Sequence, residues 1–127
     1  MAGKIDARLK ELGIVLPASI PPAANYVPSV QSGNLLFIAG QVPTRDGKDI
    51  YTGKLGANIT MEQGQEAARL CAINILSHVR NALGGDLDRV VRCVRMTGYV
   101  NSTPDFGQQP LVVNGASDLM VEVFGEA

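Results

Sequence analysis

Apolar residues recur along this chain at two different periods, and each change of period marks where a helix gives way to strands. Over residues 5–12, Ile5, Leu9 and Leu12 fall at helical spacing and are followed by Gly13 and Pro17. A short amphipathic helix is predicted there. Residues 17–24 hold three prolines and three alanines, a composition that cannot sustain a regular ladder and reads as an extended connector. The helix and connector, residues 1–21, are therefore expected to be an accessory to a core that begins after them.

Residues 26–31 and 34–41 flank Ser32-Gly33, and the second run, through Leu35-Leu36-Phe37-Ile38-Ala39, is apolar at both parities. This predicts a hairpin whose second strand is buried on both faces. Asp46-Gly47 marks a second turn, with a shorter strand at 49–51, giving three consecutive strands. Next, Thr60 and Gln63 have the spacing of a capping box, in which each side chain satisfies a free backbone N–H at a helix start. The stripe Ala68, Cys71, Ala72, Ile75, Val79, Ala82 and Leu83 follows at steps of mostly three or four, with Glu66, Arg69, Ser77 and Arg80 on other faces, and Gly84-Gly85 stops the helix.

Residues 90–100 are β-branched and apolar at both parities, broken by Arg92 and Arg95. They predict an interior strand covered on two sides. The long helix covers one side, and a neighbouring subunit is the expected cover for the other. A second helix is predicted over 114–124, with Ala116, Leu119, Met120, Val123 and Phe124 on one stripe and Gly125 as its cap. The sum is a single α+β domain over residues 1–127, ordered β-β-β-α-β-α, with helices on one face of a mixed sheet.

Composition changes this picture in one respect. Apolar residues make up 46% of the 127 and charged residues only 18%, below the roughly 25% of an average soluble protein, which suggests surface covered in an oligomer. No apolar run approaches the roughly 20 residues that span a bilayer, and the first twelve residues lack a signal-peptide core. A cytoplasmic location without membrane contact is expected. Eleven Lys and Arg against twelve Asp and Glu are scattered, so no electrostatic footprint for nucleic acid is visible.

Chemistry-bearing residues are few. Cys71 and Cys93 lie far apart with no ligand spacing between them and are expected to be reduced and buried. His78, the single histidine, has no acidic or cysteine partner at ligand spacing, and a packing or surface role is expected instead of a metal site. Asp86 and Asp88 follow Gly84-Gly85 and read as a turn more simply than as an acid/base pair. Phosphate-loop, H-E-x-x-H and G-x-S-x-G signatures are absent. Cofactor-free chemistry fits best.

Several strings carry a family resemblance between residues 22 and 124. They are Ala24-Asn25-Tyr26-Val27 before the first strand, Gly33-Asn34-Leu35-Leu36-Phe37-Ile38-Ala39-Gly40-Gln41-Val42-Pro43 across the hairpin, and Asp105-Phe106 through Val113-Asn114 into the last helix. In this order and spacing they resemble the Rid family of reactive intermediate deaminases, also called YjgF-like and, by an older name, L-PSP endoribonucleases. The resemblance implies a bacillary chorismate-mutase-like fold and a homotrimer with clefts between subunits.

It also implies a site. Tyr26 matches a tyrosine that lines the cleft, Asn114 matches an asparagine at the start of the second helix, and Gly40 and Gln41 are candidate lining residues. Where the resembling enzymes carry a serine before the Gly-Gln pair, this chain has Ala39. The family continues past the second helix into two strands, with an arginine that grips a substrate carboxylate and a glutamate that positions water. Both would lie beyond Ala127, the expectation being a chain cut short relative to the family, and neither Arg92 nor Arg95 matches that arginine by position.

The implied activity is hydrolysis of small imines or enamines of the 2-iminopropanoate type to a 2-oxo acid and ammonia, with a small carboxylate metabolite held in the inter-subunit cleft. A non-catalytic trimer that binds a small metabolite is the alternative, and Ala39 favours it.

Overall fold

The computed structural model describes residues 3–18, 25–46 and 48–125. Most of the predicted connector at 17–24 lies outside them, as do Gly47 of the second turn and Ala24 of the first family string.

The first helix, α1 (Lys4–Glu11), ends as its sequence predicts, with Leu12 as cap. Its start is capped from a distance: the Asp88 carboxylate accepts hydrogen bonds from the backbone N–H groups of Lys4 at 3.1 Å and Ile5 at 2.8 Å. A helix N-terminus leaves such donors without intrahelical partners, so an acid 83 residues away docks the helix. Leu9 and Leu16 are buried in the main apolar cluster with Ala72, Leu76, Leu87, Ala116, Leu119 and Val123. Leu9 and Leu16 thus belong to the core, where an accessory element was expected. One helical face was too short to reveal how much area it would bury.

Strands β1 (Ser29–Ser32) and β2 (Leu35–Ile38) pair antiparallel, Ser32 opposite Leu35, around a two-residue loop in which Gly33 takes a φ of 59°. Short hairpin loops need that left-handed conformation. β2 is not buried on both faces as expected. Leu35 is 47% and Phe37 57% exposed, while Leu36 and Ile38 between them are half-buried. Strand side chains alternate, and α2 lies against only one side.

The second hairpin joins β3 (Thr44–Arg45) to β4 (Lys48–Asp49). The predicted strand at 49–51 therefore stops at Asp49, because Tyr51 adopts a φ of 60° that no strand accommodates. The described residues form two separate two-stranded sheets where three consecutive strands of one mixed sheet were expected.

Helix α2 (Met61–Ala82) starts with the predicted capping box, Thr60 Oγ1 accepting from Gln63 N–H at 3.2 Å and Gln63 Oε1 accepting from Thr60 N–H at 2.9 Å. Helix α3 (Gln109–Phe124) starts five residues earlier than predicted, with Pro110 in its first turn and Gln108 as cap without a side-chain bond. Pro suits that position because its missing N–H would have no partner there. The predicted stripe of α3 holds: Ala116, Leu119 and Val123 are buried, and Met120 and Phe124 pack against them. The two helices touch closely. A Cβ on Gly115 would lie 2.0 Å from the Gln65 carbonyl oxygen, so only glycine lets the backbones meet.

Between them, Asp86 and Asp88 build a turn as expected: a single 3-10 turn at Leu87–Arg89 follows Asp86, whose side chain accepts from Asp88 N–H at 3.1 Å. The predicted interior strand at 90–100 is not one. Residues 91–95 are exposed and unladdered, Tyr99 is 94% exposed, and only Met96 and Val100 reach the apolar clusters. Strand ladders need non-local partners, and the described residues supply none along 90–100. The chain is tied down again at Leu55, whose N–H donates to Asn101 and whose carbonyl accepts from Thr103, both at 2.9 Å.

Candidate functional site

Three of the four predicted site residues, Tyr26, Gly40 and Gln41, lie in the segments that flank the open end of the first hairpin. β1 and β2 keep a register in which Ser29 faces Ile38, and the Ala39 N–H donates to the Pro28 carbonyl at 2.9 Å, one step beyond the strands. The chain bends at residues 25, 26 and 28, so the ladder goes no further, and Tyr26 leads into β1 while Gly40 and Gln41 lead out of β2 at the same end of the hairpin. Tyr26 is 43% exposed, and Gly40 has open space where a side chain would stand. Gln41 folds back so that its amide nitrogen donates to the Ala39 carbonyl at 3.0 Å. Its carboxamide oxygen is then the group it can offer as an acceptor.

Asn114 is not brought to this end within one protomer. It is exposed in the second turn of α3, next to Gly115, and not at the start of the helix as expected, because α3 begins at Gln109.

Sequence reasoning missed what holds the hairpin end in place. Asn74, in the middle of α2 and only 2% exposed, donates from its amide nitrogen to the Val42 carbonyl at 3.3 Å, the Thr44 carbonyl at 3.2 Å and Thr44 Oγ1 at 3.2 Å. The next turns continue the pattern. The Ser77 hydroxyl donates to the Pro17 carbonyl and Asn81 Nδ2 to the Ala18 carbonyl at 3.2 Å. Ser77, expected on a face other than the apolar stripe, is nonetheless fully buried. The stripe Asn74, Ser77, Asn81 has helical spacing, the one signal that could have exposed it. It reads in isolation as a solvated face.

A second polar group lies at the start of α2. The Tyr51 hydroxyl donates to Glu66 Oε2 at 2.6 Å, and Arg45 stands 3.6 Å from Glu66 Oε1. The hydrogen bond to the Glu66 carboxylate holds the Tyr51 phenol above its usual range, since ionisation would place two anions side by side.

Reactive groups elsewhere are muted. Burial pushes the Cys71 thiol up to about 11, where the thiolate is scarce. Cys93 is exposed, contrary to its expected burial on an interior strand. His78 is buried, and desolvation holds its imidazole below the usual range. Among the described residues no three His, Cys, Asp or Glu side chains converge to hold a metal, and no helix is long and apolar enough to cross a membrane.

Residues 6–127 match the family model described as "YjgF/chorismate_mutase-like, putative endoribonuclease". This chain belongs to the YjgF family. It is 50% identical over 125 residues to Protein TCP17 of Trypanosoma cruzi, covering 98% of this chain and 78% of that one. Among solved structures, protein Atu1372 of Agrobacterium tumefaciens superposes with a TM-score of 0.87 at 48% identity, over 96% of this chain and 73% of that chain. A "putative endoribonuclease" from Shewanella oneidensis gives 0.93 at 35% identity, over 98% and 82%. These superpositions establish the α+β, chorismate-mutase-like fold for the YjgF domain described above.

Proposed function

We propose that this YjgF protein hydrolyses small reactive imines of the 2-iminopropanoate type to a 2-oxo acid and ammonia, in a pocket at the seam between copies of a trimer. The observation that supports it best is that half-exposed Tyr26 and the open Gly40 flank the same end of a hairpin whose outer face carries Val30, Leu35 and Phe37 unburied. A phenolic hydroxyl, a carboxamide oxygen and a bare backbone edge bordered by apolar surface make one wall of a small-molecule pocket. A second subunit seated on that surface supplies the other wall, and Asn114, remote within one protomer, belongs to that second wall.

The chemistry asks little of the protein. A protonated imine is already electrophilic: water adds to its carbon, a proton moves from oxygen to nitrogen, and ammonia leaves as the carbonyl forms. Holding the imine and one water in register, with hydrogen bonds ready for the developing charge, is sufficient catalysis. Water is the nucleophile, and the steps call for neither a metal nor a nucleophilic side chain.

The test is ammonia release from freshly generated 2-iminopropanoate by purified protein, with Tyr26→Phe and Asn114→Ala beside the parent. A rate above background that falls about tenfold or more in either variant supports the reading. A background rate from well-folded trimer sinks it. The Ala39 substitution favours a second reading, a non-catalytic trimer that holds a small carboxylate metabolite, since a hydroxyl available to the resembling enzymes is lacking. Saturable binding of pyruvate without turnover would select it. Salt-sensitive cleavage of RNA by nuclease-free protein would instead favour the endoribonuclease activity in the family's description.

A further inference from the structure

We infer that Asn74 is a positioning residue for the proposed pocket, fixing the Gly40-Gln41 wall through the backbone of Val42 and Thr44. This rests on the pocket reading above. Residues 39–43 bridge the two hairpins without belonging to either ladder. One end of the bridge is pinned by the Ala39-to-Pro28 hydrogen bond. The other is pinned by the Asn74 amide, together with the Thr44 N–H to the Val42 carbonyl and the Ile50 N–H to the Pro43 carbonyl, both at 2.8 Å.

The chemistry of this anchor is specific. Asparagine is a poor helix-interior residue, and a buried amide is costly unless its hydrogen bonds are made. Two of the three acceptors facing Asn74 are carbonyls, which cannot donate. An N–H donor is therefore required at this point of α2. Aspartate has the same shape but no donor, and leucine has neither. Gly40 lies two residues from the anchor with open space around it, and glycine has the widest backbone freedom of any residue. Without the amide, the wall beside Tyr26 samples many arrangements before binding, and preorganisation is lost.

Ser77 provides the matched control. It lies one turn along the same helix, is fully buried and donates to a carbonyl, but that carbonyl belongs to Pro17 in the amino-terminal arm. The experiment compares Asn74→Ala, Asn74→Asp and Ser77→Ala as purified oligomers, reading amide hydrogen exchange at Gly40 and Gln41 and steady-state kinetics with 2-iminopropanoate.

In both Asn74 variants, exchange at these two amides is expected to rise about tenfold or more relative to the rest of the protein. KM is expected to rise about tenfold with kcat changed less than about threefold, as for lost binding of substrate. Ser77→Ala loses thermal stability yet leaves both readouts at parent values. Asn74→Ser retains one donor and carries the same comparison if Asn74→Ala does not fold. Unchanged exchange at Gly40 and Gln41 in the Asn74 variants, or equal acceleration in Ser77→Ala, would overturn the assignment. A parent protein that folds but releases no ammonia defeats the deaminase reading alone, and the exchange data then decide the role of Asn74.

Discussion

The two sides of α2 solve the same burial problem by opposite means. Toward α3 the contact is apolar and close: Gly64 lies under Leu55 and Val112, Gly115 meets the Gln65 backbone, and Leu76 and Leu119 are almost wholly buried. Toward residues 16–18 and 42–44 the buried side chains are polar, Asn74 and Ser77. The difference lies in the partner. A helix satisfies most of its own backbone within itself, whereas an irregular segment brings bare carbonyls that must be met by donors. A polar stripe in the middle of an amphipathic helix is thus a sign of what packs on it.

The comparison is most sharply tested at Gly115. Gly115→Ala forces a Cβ into the Gln65 carbonyl, and rigid backbone on both sides leaves no cheap escape. A loss of about 3 kcal/mol or more, or no folded protein, is expected in urea denaturation. Wild-type stability would mean that the helices do not meet here.

On the polar side, Ser77→Ala strands the Pro17 carbonyl and is expected to cost about 1–3 kcal/mol, with protection of the 14–18 amides falling first. An equal loss of protection throughout the protein would contradict separate anchoring of that segment.

A smaller, pH-dependent effect belongs to His78. Its folded-state pKa lies below the usual 6.5, so the unfolded chain takes up the proton first as pH falls. Stability is then fully present above about pH 7 and declines as pH drops through 6.5 toward the lower folded value. Unfolding free energies at pH 7.5 and 5.5 should differ in that sense, and His78→Leu should remove its part of the slope. A slope unchanged by the substitution would place the imidazole in water.

The smallest effect on the protomer is expected on the outer face of the first hairpin. Phe37→Asp should change protomer stability by less than about 0.5 kcal/mol, since the ring is exposed. If that face is the proposed seam, the same variant shifts sedimentation from trimer to monomer. A trimer that survives Phe37→Asp would put the seam elsewhere.

Legibility in the sequence followed locality. Both ends of α2 were readable because Thr60, Gln63 and Gly84-Gly85 act within a few residues of themselves. The start of α3 is not legible in the same way, because Gln108 makes no side-chain cap and Pro110, which breaks a helix interior, stands here in its first turn. Of the candidate site, Tyr26, Gly40 and Gln41 came from the family resemblance, and the hairpin places them on either side of its open end. Asn74 was invisible because its meaning depends on carbonyls some thirty residues earlier in the chain.

Periodicity, capping residues and glycine pairs determined by themselves that this chain forms three helices and short hairpins, since those signals act through backbone geometry and neighbouring side chains. Only the tertiary structure decided that the amino-terminal helix joins the core, that residues 90–100 carry no ladder, and that Asn74 and Ser77 of α2 are buried against irregular segments. Each of these depends on what a segment meets across space, and a pattern of apolar positions records the need for a partner without naming it.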